Sequence, residues 1–289
     1  MKNKFHIAII GAGPAGIAAA IQLQRAGADY AAFEGASIGG LIRNANLIEN
    51  YPGFPAGTSG RRFAQLLENH ADNLGLNIIY KEIKKVKFQK NEFELVTDKN
   101  SCFSDYLIVA SGTQPIKDHG ITIDPDCTGR VFYEVADLPE IGDCDVCIIG
   151  SGDAAYDYAL GLAKNNSVKI LMRSERPKCL PLLYKRALRT ESISVLNRIT
   201  ARSTTTRGEK ILLNCSKGSN FVGFDCDYLL IAIGRRPRMD FLEIDTIELN
   251  NNKRFILAGD VHRGKYRQTA IAAGDGLRAA MEILDKMQI

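Results

Sequence analysis

Short apolar runs, several of them closed by a glycine, alternate along this chain with stretches whose apolar positions return at helical spacing. Phe5 to Ile10 is a run of the buried-strand kind. Pro14 to Ala26, rich in Ala, Ile and Leu, predicts a helix stopped by Gly27, and Asp29 to Phe33 predicts a second strand ending at Glu34. Together they make a β-α-β unit. Residues 35–57 are rich in Gly, Asn and Pro and read as an extended loop. From Thr58, a good N-cap, a helix follows with Phe63, Leu66, Leu67, His70 and Leu74 on one face. Lys84–Phe88 and Glu92–Val96 predict a hairpin over the sheet. Tyr106 to Ala110 predicts another buried strand, closed by Ser111-Gly112.

The same grammar then restarts. Asp145 to Ile149 is an apolar strand that runs into Gly150-Ser151-Gly152-Asp153-Ala154-Ala155 and a helix through Ala163. Val168 to Met172 is the next strand, and Tyr228 to Ile233 with Gly234 repeats the role of Tyr106 to Gly112. Two copies of one architecture are therefore expected. Phe255 to Asp260 and a helix from about Thr269 have no β-α-β start of their own, so they must complete the first sheet. The second copy is then an insertion in the first.

Composition narrows the class only a little. With 289 residues, 45% hydrophobic and 24% charged, the chain suits two globular domains better than one. The net charge is +4, and the basic residues are dispersed, so nucleic-acid binding is not suggested. A mild positive balance suits an acidic protein partner, although solvated surface is the simpler account. The apolar run near the N-terminus is too short for a signal peptide, and no stretch approaches the ~18 apolar residues of a membrane span. Seven cysteines, an odd number without scaffold-like spacing, suggest a reducing compartment, and a cytoplasmic location is expected.

The candidate chemistry lies in the two glycine turns. Gly11-x-Gly13-x-x-Gly16 follows a strand and opens a helix, and Glu34 ends the next strand about 20 residues on. Gly11 makes the tight turn, Gly13 lets a pyrophosphate approach the backbone, and Gly16 lets helix and strand pack closely. Pro14 and Ala15 open the helix whose N-terminal amides and dipole favour the phosphates. The Glu34 carboxylate accepts ribose hydroxyls and repels a 2′-phosphate, so this site suits FAD or NAD. The second turn, Gly150-x-Gly152-x-x-Ala155, includes Asp153 and Ala154 and has no acid at the end of its next strand. Arg173, Arg176 and Lys178 stand there instead, which suits the 2′-phosphate of NADPH, although Glu175 lies among them and NADH stays possible. The fold class expected is α/β, with two Rossmann-like, three-layer (ββα) dinucleotide-binding domains, the second inserted in the first. Residues 1–115 and 237–289 would bind FAD, and residues 116–236 NAD(P)H. Two such sites imply hydride transfer between cofactors.

Over essentially its whole length the chain resembles the low-molecular-weight thioredoxin reductases. Glu49-Asn50-Tyr51-Pro52-Gly53-Phe54 looks like the family's loop against the FAD, and Ala110-Ser111-Gly112-Thr113-Gln114-Pro115 like the segment leaving the first domain. Ala258-Gly259-Asp260 resembles the second FAD motif, whose Asp holds the ribityl chain. Tyr266-Arg267-Gln268-Thr269 followed by Ala272 to Gly276 resembles the helix start beside the flavin. The resemblance thus implies FAD contacts at Gly40, Leu41, Asn50, Val86, Ala110, Gly112, Gly259, Asp260, Arg267, Gln268 and Thr269. It also implies a homodimer, no metal, and a nicotinamide domain that rotates on hinges near 113–117 and 234–240.

One departure changes the expected chemistry. Where the family carries Cys-x-x-Cys-Asp, gapless counting from Gly150 finds Tyr133, Glu134, Val135, Ala136 and Asp137. Without a vicinal pair, electrons cannot pass from flavin to an enzyme disulfide and on to thioredoxin. Cys144-Asp145-Val146-Cys147 has the spacing but sits inside a strand, where residues three apart face opposite ways. The remaining cysteines read as solitary, small buried hydrophobes. Val131-Phe132-Tyr133-Glu134-Val135 resembles a pattern of the ferredoxin–NADP reductases built on this fold, making Tyr133 and Asp137 candidate catalytic residues, Asp137 as a proton relay or merely a turn former. Those relatives carry further C-terminal residues over the flavin, whereas this chain stops at Ile289 and is short between Leu242 and Phe255.

The expected function is an FAD-dependent NAD(P)H:acceptor oxidoreductase, the acceptor being a small acidic carrier such as ferredoxin or flavodoxin. Arg235-Arg236-Pro237-Arg238 is either a docking site for it or a solvated linker. The rival readings are a flavin-dependent reductase of a small disulfide or quinone, and a ferredoxin-fed or non-catalytic flavin-binding subunit.

Overall fold

The apolar runs of the sequence are strands, and the computed structural model describes residues 3–244 and 252–288. In chain order the first elements are β1 (Lys4–Ile10), α1 (Pro14–Arg25), β2 (Tyr30–Phe33), α2 (Gly60–Leu74), β3 (Ile78–Ile79), β4 (Lys85–Gln89), β5 (Glu92–Val96), β6 (Ser101–Val109) and β7 (Thr113–Pro115). Next come β8 (Val131–Phe132), β9 (Asp145–Ile149), α3 (Asp153–Leu162), β10 (Ser167–Leu171), α4 (Pro181–Leu188) and β11 (Ile193–Leu196). They are followed by β12 (Thr200–Arg207), β13 (Lys210–Lys217), β14 (Asn220–Cys226) and β15 (Tyr228–Ile231). The chain closes with β16 (Arg235–Pro237), β17 (Phe255–Leu257) and α5 (Thr269–Met287). It divides into two units, one of residues 1–43, 48–114 and 236–289, the other of residues 44–47 and 115–235.

In the first unit the sheet runs β3-β2-β1-β6-β5-β4, with β17 also on β6. β1, β2, β3, β6 and β17 are parallel, Ile7 pairing with both Tyr30 and Tyr106. The nine-residue β6 shares one edge between two partners: its first half pairs antiparallel with β5, and its second half pairs with β17. Strand alternation splits the core. Ile7, Ile9 and Ile108 face Ala15, Ala19, Ala279 and Ile283 of α1 and α5, while Ala8, Ile10 and Val109 face Val86, Phe93 and Leu95 of the hairpin. The two helices cross closely because α5 has Gly276 there: a Cβ on it would lie 1.9 Å from the Ala15 carbonyl oxygen.

The second unit is three-layered. A parallel sheet runs β11-β10-β9-β15-β8, and an antiparallel sheet runs β12-β13-β14. Val146, Ile148 and Leu230 pack on Tyr156 and Ala159 of α3, whereas Cys147, Leu229 and Ile231 pack on Ile211 and Leu213 of the antiparallel sheet. Residues 44–47 belong to this unit through hydrogen bonds: Asn44 Oδ1 accepts from Ala136 N at 2.9 Å, and Asp157 accepts from Asn46 N at 2.7 Å.

Some expectations need correction. Ser59, not Thr58, caps α2, its side chain accepting from Arg62 N at 3.2 Å, because the Thr58 backbone is engaged with Ile48 on both sides. The buried face of α2 is Phe63, Ala64 and Ala71, and His70 and Leu74 are exposed. α4 and β11 to β14 were not foreseen. The units assign Arg236 to the first and residues 44–47 to the second, unlike the expected ranges. The shortened stretch between Leu242 and Phe255 falls largely on residues 245–251, outside the described residues.

Candidate functional sites

In each unit the candidate residues gather at the carboxyl ends of the parallel strands, where open α/β sheets place ligands. In the first unit these are the turn after β1, Glu34 after β2, Ala110 and Gly112 after β6, and Gly259 with Asp260 after β17. The steric roles of the glycines are visible. Gly11 has φ +101°, and a Cβ there would lie 2.4 Å from the Ala110 carbonyl oxygen. A Cβ on Gly16 would lie 1.8 Å from the Gly11 oxygen, so helix and turn touch backbone to backbone. A Cβ on Gly13 would meet only the Gly39 oxygen at 4.0 Å, so the backbone here borders open space. Gly40 lies across the turn from Gly13, and Leu41 follows it in the short 3-10 helix Gly40–Asn44.

Glu34 is fixed by backbone: Ala12 N donates to one carboxylate oxygen at 2.7 Å and Ala36 N to the other at 2.8 Å. Each oxygen keeps a lone pair for a hydroxyl. Gly13, the N-cap of α1, makes no side-chain cap, and Pro14 follows, so the first-turn amides are open to an anion. Asn50 Nδ2 donates to Gln268 Oε1 at 2.7 Å, tying the 49–54 loop to the start of α5 beside Thr269. Tyr51 and Phe54 seat that loop on the buried Phe63, with ring centroids 4.8 and 5.2 Å away. Asp260, half-buried, lies between the buried Gly259 and Val261 of one short turn, and Arg267 is half-buried before α5. These residues fit the group that the fingerprint implies.

Val86 is a correction. It is fully buried among core side chains, its N–H donates to the Phe241 oxygen at 2.8 Å, and its own oxygen accepts from Glu243 N at 2.9 Å. Its side chain and N–H are thus committed within the unit, and only the second lone pair of its carbonyl oxygen remains for a cofactor. Asp275, in turn, was missed. Almost wholly buried, it accepts from Gly259 N at 3.2 Å and from Arg263 Nε at 2.7 Å, so it holds the Gly259 turn. Burial pushes its carboxyl up, but Arg263, the Gly259 N–H and His262 outweigh that and hold it below the ordinary value. An acid at a small-residue position of a helix was the only signal.

The second unit has a cavity of about 450 Å³ whose wall includes Gly150 to Ala154, Arg173, Lys178, Tyr133 and His119. A Cβ on Gly152 would meet nothing within 4 Å. This turn, like the first, ends on an N-cap without a side-chain bond. Asp153 turns its carboxylate to the Leu180 N–H at 2.7 Å, bracing the basic loop. Glu175 forms an exposed ion pair with Arg198. Arg176 is exposed and does not line the cavity; of the expected basic residues Arg173 and Lys178 do, together with Arg235, which pairs with Glu134. Asp137 sits exposed at the end of the short turn Val135–Asp137.

The cysteines form no redox pair of the Cys-x-x-Cys kind. All seven are free. Cys147 is buried on the antiparallel-sheet side of β9, while Cys144 packs at the edge of the helix-side core. The expected solitude is corrected for three of the others: Cys127, Cys215 and Cys226 share one core with Cys147, whereas Cys102 and Cys179 lie in other cores. Contact with Cys226 and burial both push the Cys147 thiol well up, and burial pushes Cys215 up to about 11. The arginine run is neutralised residue by residue. Arg235 pairs with Glu134, Arg236 binds Asp240 at 2.7 and 2.8 Å, and Arg238 pairs with Glu82.

The family description "pyridine nucleotide-disulphide oxidoreductase" matches residues 5–281. Thioredoxin reductase 1 of Saccharomyces cerevisiae is 29% identical over 314 residues, covering 96% of each chain. The fold is shared with the T. acidophilum thioredoxin reductase structure, 24% identical over the whole of both chains with a TM-score of 0.88. It is also shared with Lactococcus lactis thioredoxin reductase in the FR conformation, 23% identical over 97% of this chain and 98% of that one, again with a TM-score of 0.88.

Proposed function

The chain belongs to the pyridine nucleotide-disulphide oxidoreductase family and is an FAD-dependent NAD(P)H oxidoreductase, and on that premise we propose that it passes electrons to an external acceptor without an enzyme disulfide, unlike a conventional thioredoxin reductase. The observation that carries this reading is the turn after β8, where Tyr133-Glu134-Val135-Ala136-Asp137 brings no thiol. The Cys144 and Cys147 pair offers no substitute, because its members serve different cores.

The first unit holds FAD and the second NAD(P)H. When bound, FAD supplies two-electron acceptance from the nicotinamide and delivery to the acceptor. Gly11, Gly13 and Gly16 admit the pyrophosphate to the N-terminus of α1, Glu34 accepts the adenosine ribose hydroxyls, and Asp260 holds the ribityl chain. In the second unit Gly152 and the amides of Asp153 and Ala154 take the pyrophosphate. Arg173 and Lys178 favour a 2′-phosphate, hence NADPH over NADH. Asp137, exposed and ionisable, relays a proton. The acceptor is a small acidic carrier of the ferredoxin or flavodoxin type, favoured by the net charge of +4.

The active form is a homodimer. α1 and α5 flank an apolar groove lined by Ile21, Tyr51, Pro52, Ala273 and Leu277, and Ile271, Leu277 and Met281 of α5 are exposed large apolar side chains. Among the described residues no helix is long and apolar enough to cross a membrane. Seven free cysteines fit a cytoplasmic home.

An anaerobic titration tests the reading. NADPH bleaches the bound flavin rapidly, and the reduced protein is reoxidised by ferredoxin or flavodoxin but not by thioredoxin. Bleaching by reduced ferredoxin alone would refute the NADPH assignment, and rapid turnover with thioredoxin would refute the proposal as a whole.

A further inference from the structure

The cavity of the second unit has a polar pair on its wall that the proposed chemistry leaves unused. Tyr133 Oη lies 3.0 Å from His119 Nε2, and the two rings stack with centroids 5.9 Å apart and 28° between their planes. On the other side of the imidazole, Ile121 N donates to Nδ1 at 3.1 Å. A ring nitrogen that accepts an N–H carries no proton of its own. His119 is therefore the neutral tautomer protonated on Nε2, and that N–H donates to Tyr133 Oη. Burial, opposed by the Asp118 carboxylate, lowers the imidazole's affinity for a second proton. The phenol is thus an acceptor toward His119, and its own O–H is left to donate elsewhere. Lys117 Nζ, 5.5 Å from the ring centroid, is a cation with no lone pair to accept it.

Strand order says what the phenol faces. The sheet runs β11-β10-β9-β15-β8, and the fingerprint turn follows β9. Arg173 and Lys178 follow β10, on one side of that turn, whereas Gly234 follows β15 and Tyr133 follows β8, on the other. Neighbouring strands are about 4.8 Å apart. A dinucleotide with its pyrophosphate at Gly152 and its adenosine toward Arg173 must therefore lay its other half toward Tyr133.

We propose that the Tyr133 hydroxyl, locked as a donor by His119, hydrogen-bonds an oxygen of the nicotinamide-ribose half of the bound dinucleotide, with His119 as its positioning residue. This rests on the reading that the second unit binds NAD(P)H.

The test compares whole and half ligands on the flavin-loaded protein by calorimetry, using NADP⁺ or NAD⁺, whichever binds more tightly, against 2′,5′-ADP or 5′-AMP respectively. Tyr133→Phe weakens the dinucleotide about 3- to 10-fold, the worth of one neutral hydrogen bond, and leaves the half-molecule unchanged. His119→Phe causes a selective loss of the same kind, and the two losses are not additive in the double variant. Unchanged dinucleotide binding in Tyr133→Phe, or an equal loss for the half-molecule, overturns the proposal while leaving the assignment of the unit intact. Additive losses overturn the role of His119. Failure of the unsubstituted protein to bind either dinucleotide overturns the assignment of the unit, and this proposal with it.

Discussion

Glu34 shows how far a single residue can be understood from its neighbours in sequence. The ribose-binding role proposed for it rests on its place at the end of the second strand. The two backbone amides that aim it, from Ala12 and Ala36, were not legible in the sequence, because they arrive through the fold. Arg173 is the reverse case. Glu175 blurred the basic run in the sequence, and its ion pair with Arg198 became visible only in the fold. Arg173→Ala is expected to raise the KM for NADPH about tenfold, the worth of one charge-assisted bond, with little change for NADH. Steady-state kinetics with both donors check this, and equal effects on both would refute 2′-phosphate recognition. Asp275 gave no clue of its role. Its carboxyl is held below the ordinary value in the folded chain, so as pH falls the unfolded chain takes up the proton first. Its contribution is complete above about pH 4 and is lost as pH falls through the folded value. Asp275→Asn is expected to cost about 1–3 kcal/mol at neutral pH, discounted for the partly exposed Arg263, and to flatten the acid limb of stability in a urea-melt series.

At the scale of elements, legibility followed burial. The β-α-β units were readable because their strands are buried runs and glycine ends them. The antiparallel sheet was not. β12 reads Thr-Ala-Arg-Ser-Thr-Thr-Thr-Arg, with only Thr204 buried, and β14 carries Phe221 90% exposed, so neither shows a clean alternation. α4 hides for a similar reason, since Leu182 and Leu188 both face solvent. The crossing of α1 and α5 depends on one missing methyl group. Gly276→Ala sets a Cβ against the Ala15 backbone, and a cost of about 1–3 kcal/mol or more is expected, with faster loss of FAD. Gly274→Ala, two residues earlier, meets nothing within 4 Å and should leave the denaturation midpoint of this chain unchanged or raised. A loss at Gly274 would report a partner seated in the groove.

For the whole molecule, the sequence announced a repeated architecture with one copy inserted in the other, because the second fingerprint starts before the first sheet is complete. It did not announce that residues 44–47 belong with the second unit, since that membership rests on Asp157 and Asn44, polar residues unremarkable in sequence. Nor did it reveal that Arg235, Arg236 and Arg238 each have a carboxylate partner. The packing of the cysteines has a stoichiometric consequence. Five of the seven are buried and the other two half-buried, with no disulfide among them. On the proposed reading, in which the flavin alone stores electrons, the holoprotein's capacity is two electrons and not four. Anaerobic bleaching should end at one equivalent of NADPH per flavin, and the number of thiols reactive toward a chromogenic disulfide should be the same before and after. An endpoint at two equivalents would reveal a second redox couple, with Cys147 and Cys226 the first place to look.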